Sequence, residues 1–147
     1  MRASELGTSV RPALLTDATR IVALCAQLGY GVPLAHVQHE LRTMRNDRTV
    51  LVAVVPRVGV VGWVGVCERH TLTSNRRADI EGLVVEDEYR GNGIGEMLLT
   101  SAQTWAKARG CRQVRLLSNI VRKRAHGFYL RFGYEVLKTE YVFEKNL

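Results

Sequence analysis

The spacing of apolar residues changes along the chain, and each change marks an element. Over residues 79–85 (Asp-Ile-Glu-Gly-Leu-Val-Val), Ile80, Leu83, Val84 and Val85 form a short apolar run bounded by turn residues, the pattern of a strand covered on both faces. After the acidic turn Glu86-Asp87-Glu88 the period lengthens. Ile94, Met97, Leu98, Ala102, Trp105 and Ala106 fall on one helical stripe, and Lys107, Arg109 and Gly110 supply stop chemistry.

The same reading extends to both ends. Residues 1–7 read as a loose tail and 9–13 as a short strand. Thr16 or Asp17 caps a first helix with the stripe Ile21, Leu24, Cys25 and Leu28, stopped by Gly29. Pro33 opens a second helix carrying Leu34, Val37, Leu41 and Met44. Residues 49–55 and 60–67 are strongly β and pair as an antiparallel hairpin across Pro56-Arg57-Val58-Gly59. Residues 68–78 are polar and read as a loop. Beyond the helix at 93–109 come a strand at 113–118, a helix at 122–132 ended by Gly133, and closing strands at 134–137 and 139–143. The order is βααβββαβαββ. Antiparallel hairpins with one strand–helix–strand crossover give a mixed sheet flanked by helices, class α+β (α/β on looser definitions). With 147 residues and no repeat or low-complexity tract, the chain reads as a single domain, residues 1–147.

Composition narrows the class. Hydrophobic residues make up 46% and charged residues 24%, as in an ordinary globular protein. No apolar run is long enough to span a bilayer, and residues 1–7 hold no apolar signal core, so a cytoplasmic protein is the expectation. Cys25, Cys67 and Cys111 are far apart and in no metal-ligand spacing, which points to buried reduced thiols and to no metal site. The net charge is +7, and residues 109–131 contain Arg112, Arg115, Arg122, Lys123 and Arg124 without one acidic residue. Such a block suits an anion. Nucleic acid, the phosphates of a nucleotide coenzyme and a merely solvated basic face are the three readings.

The mouth of the helix at 93–109 carries the first chemical signal. The first turn of a helix has backbone N–H groups without internal partners and partial positive charge. Gly91, Gly93 and Gly95 keep side chains out of the approach and Arg90 adds a cation, so a phosphate or diphosphate fits there. A dinucleotide fingerprint is excluded: the sixth position counted from Gly91 is Glu96, and residues 111–117 hold no ribose-binding acid. A P-loop is excluded by the lack of Gly-Lys-Ser/Thr. What fits is Arg-x-x-Gly-x-Gly at Arg90, Gly93 and Gly95, following a strand and opening an amphipathic helix.

That combination resembles the acetyl-CoA signature of the GNAT superfamily of N-acyltransferases. A second stretch agrees. Ala125-His126-Gly127-Phe128-Tyr129, with Gly133 and Tyr134 after it, is similar to the late helix pattern of that family, and Ser118-Asn119 resembles its coenzyme-proximal Asn. The element order is also that of a GNAT domain. The resemblance implies an N-acetyltransferase that moves the acetyl group of acetyl-CoA to a primary amine by direct attack in a ternary complex. It implies that the pantetheine lies along Leu83, Val84 and Val85, the phosphates rest on Arg90, Gly91, Asn92, Gly93, Ile94 and Gly95, and Asn119, His126 and Tyr129 flank the coenzyme. Tyr129 would protonate the departing thiolate, unless its ring simply packs in the core. His126 is a second donor, a coenzyme contact or an exposed helical histidine.

Glu81 is the candidate general base, acting directly or through water. Two-residue alternation puts it on the face of Leu83 and Val85, and a carboxylate in an apolar strand needs a partner or a function. The plain alternative is a salt bridge to Arg76, Arg77 or another cation, and Asp79 is the fallback base. Gly82 marks a bulge or a close backbone approach. The acceptor pocket would draw on residues 28–32, 68–78 and the last strands, with Tyr30, Trp63, Glu68, His70 and Tyr141 as contacts. A small amine, a polyamine-like or aminoglycoside-like cation and a peptide amine all remain open, as does a homodimer formed by the final strands. The competing function is a non-catalytic acyl-CoA sensor or a basic nucleic-acid-binding module on the same fold.

Overall fold

In the computed structural model, which describes residues 2–147, a five-stranded sheet runs in the order β1-β2-β3-β4-β5. Its strands are β1 (Ser9–Pro12), β2 (Arg48–Val55), β3 (Gly59–Thr71), β4 (Ser74–Val85) and β5 (Gln113–Leu116). The first four pair antiparallel and β5 joins β4 in parallel, so the sheet is mixed and the class α+β. The helices are α1 (Ala18–Gln27), α2 (Leu34–Arg42), α3 (Ile94–Ala108) and α4 (Lys123–Arg131). The chain forms two compact units, one ending at Leu116 and one running Leu117–Leu147.

In the first unit, helices cover both faces of the sheet. Ala18, Ile21, Leu24 and Cys25 of α1 and Val37 of α2 pack on Val52, Val60 and Val84, with Trp63 against them. The other face takes α3: a Cβ on Gly62 would lie 3.1 Å from Leu98 and 2.8 Å from the Val84 carbonyl. Glycine at 62 therefore lets α3 and β4 close on β3. Both faces are buried, which explains the near-continuous apolar run of β2 and the middle of β3.

Two expectations need correction. Residues 68–78 are not a loop: β3 and β4 continue through them as one long hairpin turning at Leu72-Thr73. The segment is polar because its strands are tied by charge. Arg69 of β3 reaches Asp79 of β4 at 3.7 Å, where Arg77 of the same strand also pairs at 2.9 Å, and the buried carboxylate of Glu68 takes Arg76 and Arg109, each at 2.8 Å, with His70 at 3.0 Å. The closing strands at 134–137 and 139–143 are also not formed. Residues 134–147 pair with no strand among the described residues, and a β-prone stretch without a ladder is not a strand. Residues 3–7 make turns, with Ala3 buried and its N–H donating to the Asn92 carbonyl at 2.6 Å, while residue 1 of the expected tail lies outside the described residues.

Asp17 caps α1 in position but not by side chain. Its buried carboxylate accepts both arms of Arg11, at 2.7 and 3.1 Å, and the Leu14 N–H at 2.7 Å. The guanidinium beside it holds the carboxyl below its usual range, against the opposing effect of burial. Asp17→Asn is expected to lower stability by about 2 kcal/mol at neutral pH, since hydrogen bonds to charged groups are lost. A depressed folded pKa gives stability that is complete above the unfolded value and vanishes as pH falls through the folded one. The gap between wild-type and variant melting curves should therefore be full at pH 7 and close in strong acid.

Candidate active site

The ladder between β4 and β5 stops early. It runs from Arg77 opposite Gln113 to Ile80 opposite Leu116. From Glu81 to Val85 the outer edge of β4 carries no strand among the described residues, while β3 holds the inner edge. Alternate peptide groups of that edge are the kind an extended amide chain pairs with. Val84 is buried in the core, and Leu83 and Val85 are half-buried opposite Val64 and Gly62, on the α3 side. These three residues thus offer backbone rather than side chains.

The open edge leads into the mouth of α3. A 3-10 turn, Asp87–Tyr89, follows β4, and Gly93 caps α3 in the left-handed conformation, φ 86° and ψ 6°. Gly91 has φ 81°, and a Cβ on either glycine would meet nothing within 4 Å. The glycines are thus required by backbone conformation, and the space beside them is open. Met97 N–H bonds to the Gly93 carbonyl at 3.1 Å, whereas helix geometry leaves the N–H groups of Ile94, Gly95 and Glu96 without intrahelical acceptors. Ile94, only 1% exposed, anchors the turn and can offer only its backbone.

The polar side chains of this loop brace it from within. Arg90 donates through Nε to the Val85 carbonyl at 3.1 Å and pairs with Asp87 at 2.9 Å, so it is a strut of the turn rather than a free cation. Asn92 donates to the Tyr89 carbonyl at 3.0 Å. Arg20 of α1 bonds the Val60 carbonyl at 3.1 Å and Glu86 at 2.8 Å, fixing the end of β4. The mouth of α3 is thereby a preset array of backbone donors, which suits an anion such as a diphosphate.

Glu81 is placed by a bulge. Gly65 faces Gly82 and Val66 faces Ile80, so Glu81 is the extra residue of β4. A bulge interrupts two-residue alternation. Glu81 accordingly lies on the α1/α2 side: its Cβ is 3.5 Å, and its Oε2 3.4 Å, from where a Cβ of Gly65 would stand. The expectation that it shares a face with Leu83 and Val85 is wrong for that reason. The close approach expected at Gly82 is present as well, since a Cβ there would stand 2.6 Å from the Trp63 ring. The partner of Glu81 is neither Arg76 nor Arg77 but Arg48, at 2.9 Å, which also holds Glu40 of α2 at 2.9 Å. Asp79 is engaged by Arg77.

Cys67 lies beside Glu81. Burial, with the charges of Glu81 and Asp79, pushes its thiol up to about 11. It stays protonated at neutral pH and is a poor nucleophile. Cys25 and Cys111 are buried, and burial raises both thiols too.

In the second unit the arrangement is local to α4. Asn119 Oδ1 accepts the Val121 N–H at 3.1 Å, and His126 Nε2 donates to the Asn119 carbonyl at 2.8 Å, closing the turn before the helix. Both groups are therefore engaged in shaping that turn. Tyr129 stacks edge-on with Phe128 and Tyr134, at ring separations of 5.3 and 5.9 Å. Burial raises its phenol above the ordinary value, so it is a proton donor throughout the neutral range. Arg122, Lys123 and Arg124 are exposed at the start of α4.

Of the expected acceptor contacts, Tyr30 and Tyr141 are exposed, Trp63 lines the Gly65–Gly82 floor, and Glu68 and His70 belong to the ion network described above. The sequence reading missed Arg48, Glu40 and Arg20. No motif marks them; only the register that brings Arg48 opposite Cys67 would have put it near β4. Among the described residues no group of His, Cys, Asp and Glu could hold a metal, and no helix is long and apolar enough to cross a membrane.

Known proteins resemble this chain in sequence and fold. The sequence model of a family described as Acetyltransferase (GNAT) family matches residues 17–134. An aminoalkylphosphonate N-acetyltransferase of Salmonella typhimurium is 37% identical over 89 residues, 60% of this chain and 56% of that protein, so the match spans little more than half of that relative. An aminoglycoside N(6')-acetyltransferase type 1 of Stenotrophomonas maltophilia is 28% identical over 91% of this chain and 89% of its own. The crystal structure of a transcriptional regulator from Bacillus halodurans superposes with a TM-score of 0.84 at 25% identity, over 94% of this chain and 99% of that one.

Proposed function

Since the chain belongs to the acetyltransferase (GNAT) family, which places it among the acyltransferases, we propose that it transfers the acetyl group of acetyl-CoA to a primary amine by direct attack within a ternary complex. The observation that carries this reading is the free edge of β4 running straight into the glycine-capped mouth of α3. An extended pantetheine amide chain suits the edge at Leu83, Val84 and Val85, and a diphosphate suits the N–H groups from Gly91 to Gly95.

The chemistry assigns one role to each group. The amine nitrogen attacks the thioester carbon, and a backbone N–H of the 83–85 edge stabilises the oxyanion. The carbon–sulfur bond breaks, and Tyr129 protonates the thiolate as it leaves. Glu81 takes the amine proton, directly or through water. The products are the N-acetylated amine and CoA. The raised thiol of Cys67 supports transfer without a cysteine-bound acetyl intermediate. Asn119, His126 and the exposed basic start of α4 are the remaining coenzyme contacts proposed.

The names of the relatives support a small amine as acceptor. The test is a panel of aminoglycosides, aminophosphonates, polyamines and peptide amines, with thiol release as the readout. Thiol release together with an N-acetylated product is the expected result. Binding of CoA with no release across the panel would instead favour a sensor. We also place the protein in the cytoplasm, as a homodimer joined through residues 134–147. Val136, Leu137, Tyr141, Val142 and Phe143 are all exposed there, a β-prone segment without a ladder. Cell fractionation tests the first point. Sedimentation velocity tests the second, and a monomer at micromolar concentration would refute it.

A further inference from the structure

We propose that Arg48 is a positioning residue for the acyl-transfer step, aiming the carboxylate of Glu81 and tying it to α2. This rests on the reading of Glu81 as the group that takes the amine proton.

The bulge makes such a device necessary. Glu81 stands outside the β3–β4 register, so the ladder does not fix its backbone as it fixes Gly82 and Ile80. A glutamate aimed only by its own rotamers would sample several directions. Here it lies in a slot. The floor is the backbone of Gly65, where a Cβ would come within 3.4 Å of Glu81 Oε2. Beside it the Trp63 ring lies over Gly82, which itself has no room for a Cβ. Arg48 provides the remaining restraint, donating through Nη2 to Glu81 Oε2 at 2.9 Å and through Nη1 to Glu40 Oε2 at 2.9 Å. A guanidinium is a rigid planar fork, so fixing one arm on α2 fixes the direction of the other.

Arg48 is held there by those two carboxylates. Its Nε–H is buried and has no hydrogen-bond partner, a desolvation cost that its two ion pairs must offset. Burial also works against its charge, yet Glu81 and Glu40 outweigh burial and hold the guanidinium more firmly protonated than usual. The other cations near the hairpin are engaged elsewhere: Arg76 on Glu68, and Arg77 and Arg69 on Asp79. Helix α2, strand β2 and the bulge of β4 are thus joined by one side chain, with the candidate base at its inner end.

The experiment is a double-mutant cycle in steady-state kinetics, with melting curves recorded alongside. Arg48→Met is expected to lower kcat about tenfold and leave KM for acetyl-CoA within about twofold, because a transition-state contribution is lost and coenzyme binding is not. Arg48→Lys should recover part of that loss, since an ammonium reaches one carboxylate but cannot bridge both. In a Glu81→Gln background, adding Arg48→Met should cost less than about twofold, the non-additivity of residues acting as a unit. Should Arg48→Met fail to fold, Glu40→Gln removes only the outer anchor and should give a smaller loss with the same non-additivity.

Two single-variant losses that multiply in the double variant would overturn the proposal. So would a rise in KM for acetyl-CoA that matches the fall in kcat. A silent Glu81→Gln removes the base assignment and the role of Arg48 with it, while thiol release by the wild type leaves acetyl transfer itself standing. If Glu81→Gln costs activity but the cycle is additive, only the role of Arg48 falls.

Discussion

Replacing Tyr129 by phenylalanine is expected to lower kcat about a hundredfold, within the range set by loss of a general acid, and to leave KM for acetyl-CoA within about twofold. The reason is local. Tyr129 sits in α4 with its ring edge-on to Phe128 and Tyr134, and phenylalanine keeps both contacts. Only the hydroxyl is lost, so the melting curve should barely move. Burial holds the phenol above its ordinary value, which means the proton is present across the whole working range. A thiolate expelled without that proton is a poorer leaving group at any pH below its own pKa, about 8.5 for a free thiol. The deficit should therefore be largest at neutral pH and shrink in alkaline buffer. An unchanged kcat at every pH would remove Tyr129 from the chemistry.

The second large effect belongs to the mouth of α3. Gly93→Val should weaken CoA and acetyl-CoA binding by at least about tenfold, since a blocked donor array forfeits more than 1.4 kcal/mol. Gly93 has φ 86°, where a branched side chain is strained, and the space its Cβ would enter is open. Strain alone should lower stability by about 1–3 kcal/mol. A control separates the two causes. Gly59, the first residue of β3, also has a positive φ, 104°, with nothing within 4 Å of a Cβ. Gly59→Val should show a comparable loss of stability with CoA affinity intact. Equal losses of affinity in both variants would mean that the effect at Gly93 is strain and not ligand.

What the sequence made legible was contiguous. The strand, turn and helix from Asp79 to Ala108 lie side by side in the chain, and their glycines and apolar spacing are local properties. Cys25 and Cys111 were legible as buried thiols, whereas Cys67 is only half-buried, beside the carboxylates of Glu81 and Asp79. Four things were not legible. The face of Glu81 depends on a bulge, and one extra residue reverses alternation without changing composition. The polar ends of β3 and β4 read as a loop because Glu68 with Arg76, and Arg69 with Asp79, satisfy one another across strands, and hydrophobic patterning is blind to ion pairs. Residues 134–147 have β-like composition, yet a strand exists only where another strand receives it. Arg48, which meets Glu81 and Glu40 only once α2, β2 and β4 have folded together, left no mark in local sequence at all.

The most direct measurement is a CoA titration of the isotopically labelled protein followed by amide NMR. The account predicts that the largest shifts fall on the N–H groups of Gly91, Gly93, Ile94 and Gly95 and along Leu83 to Val85. Shifts confined to other parts of the chain, with these amides unmoved at saturating CoA, would contradict it.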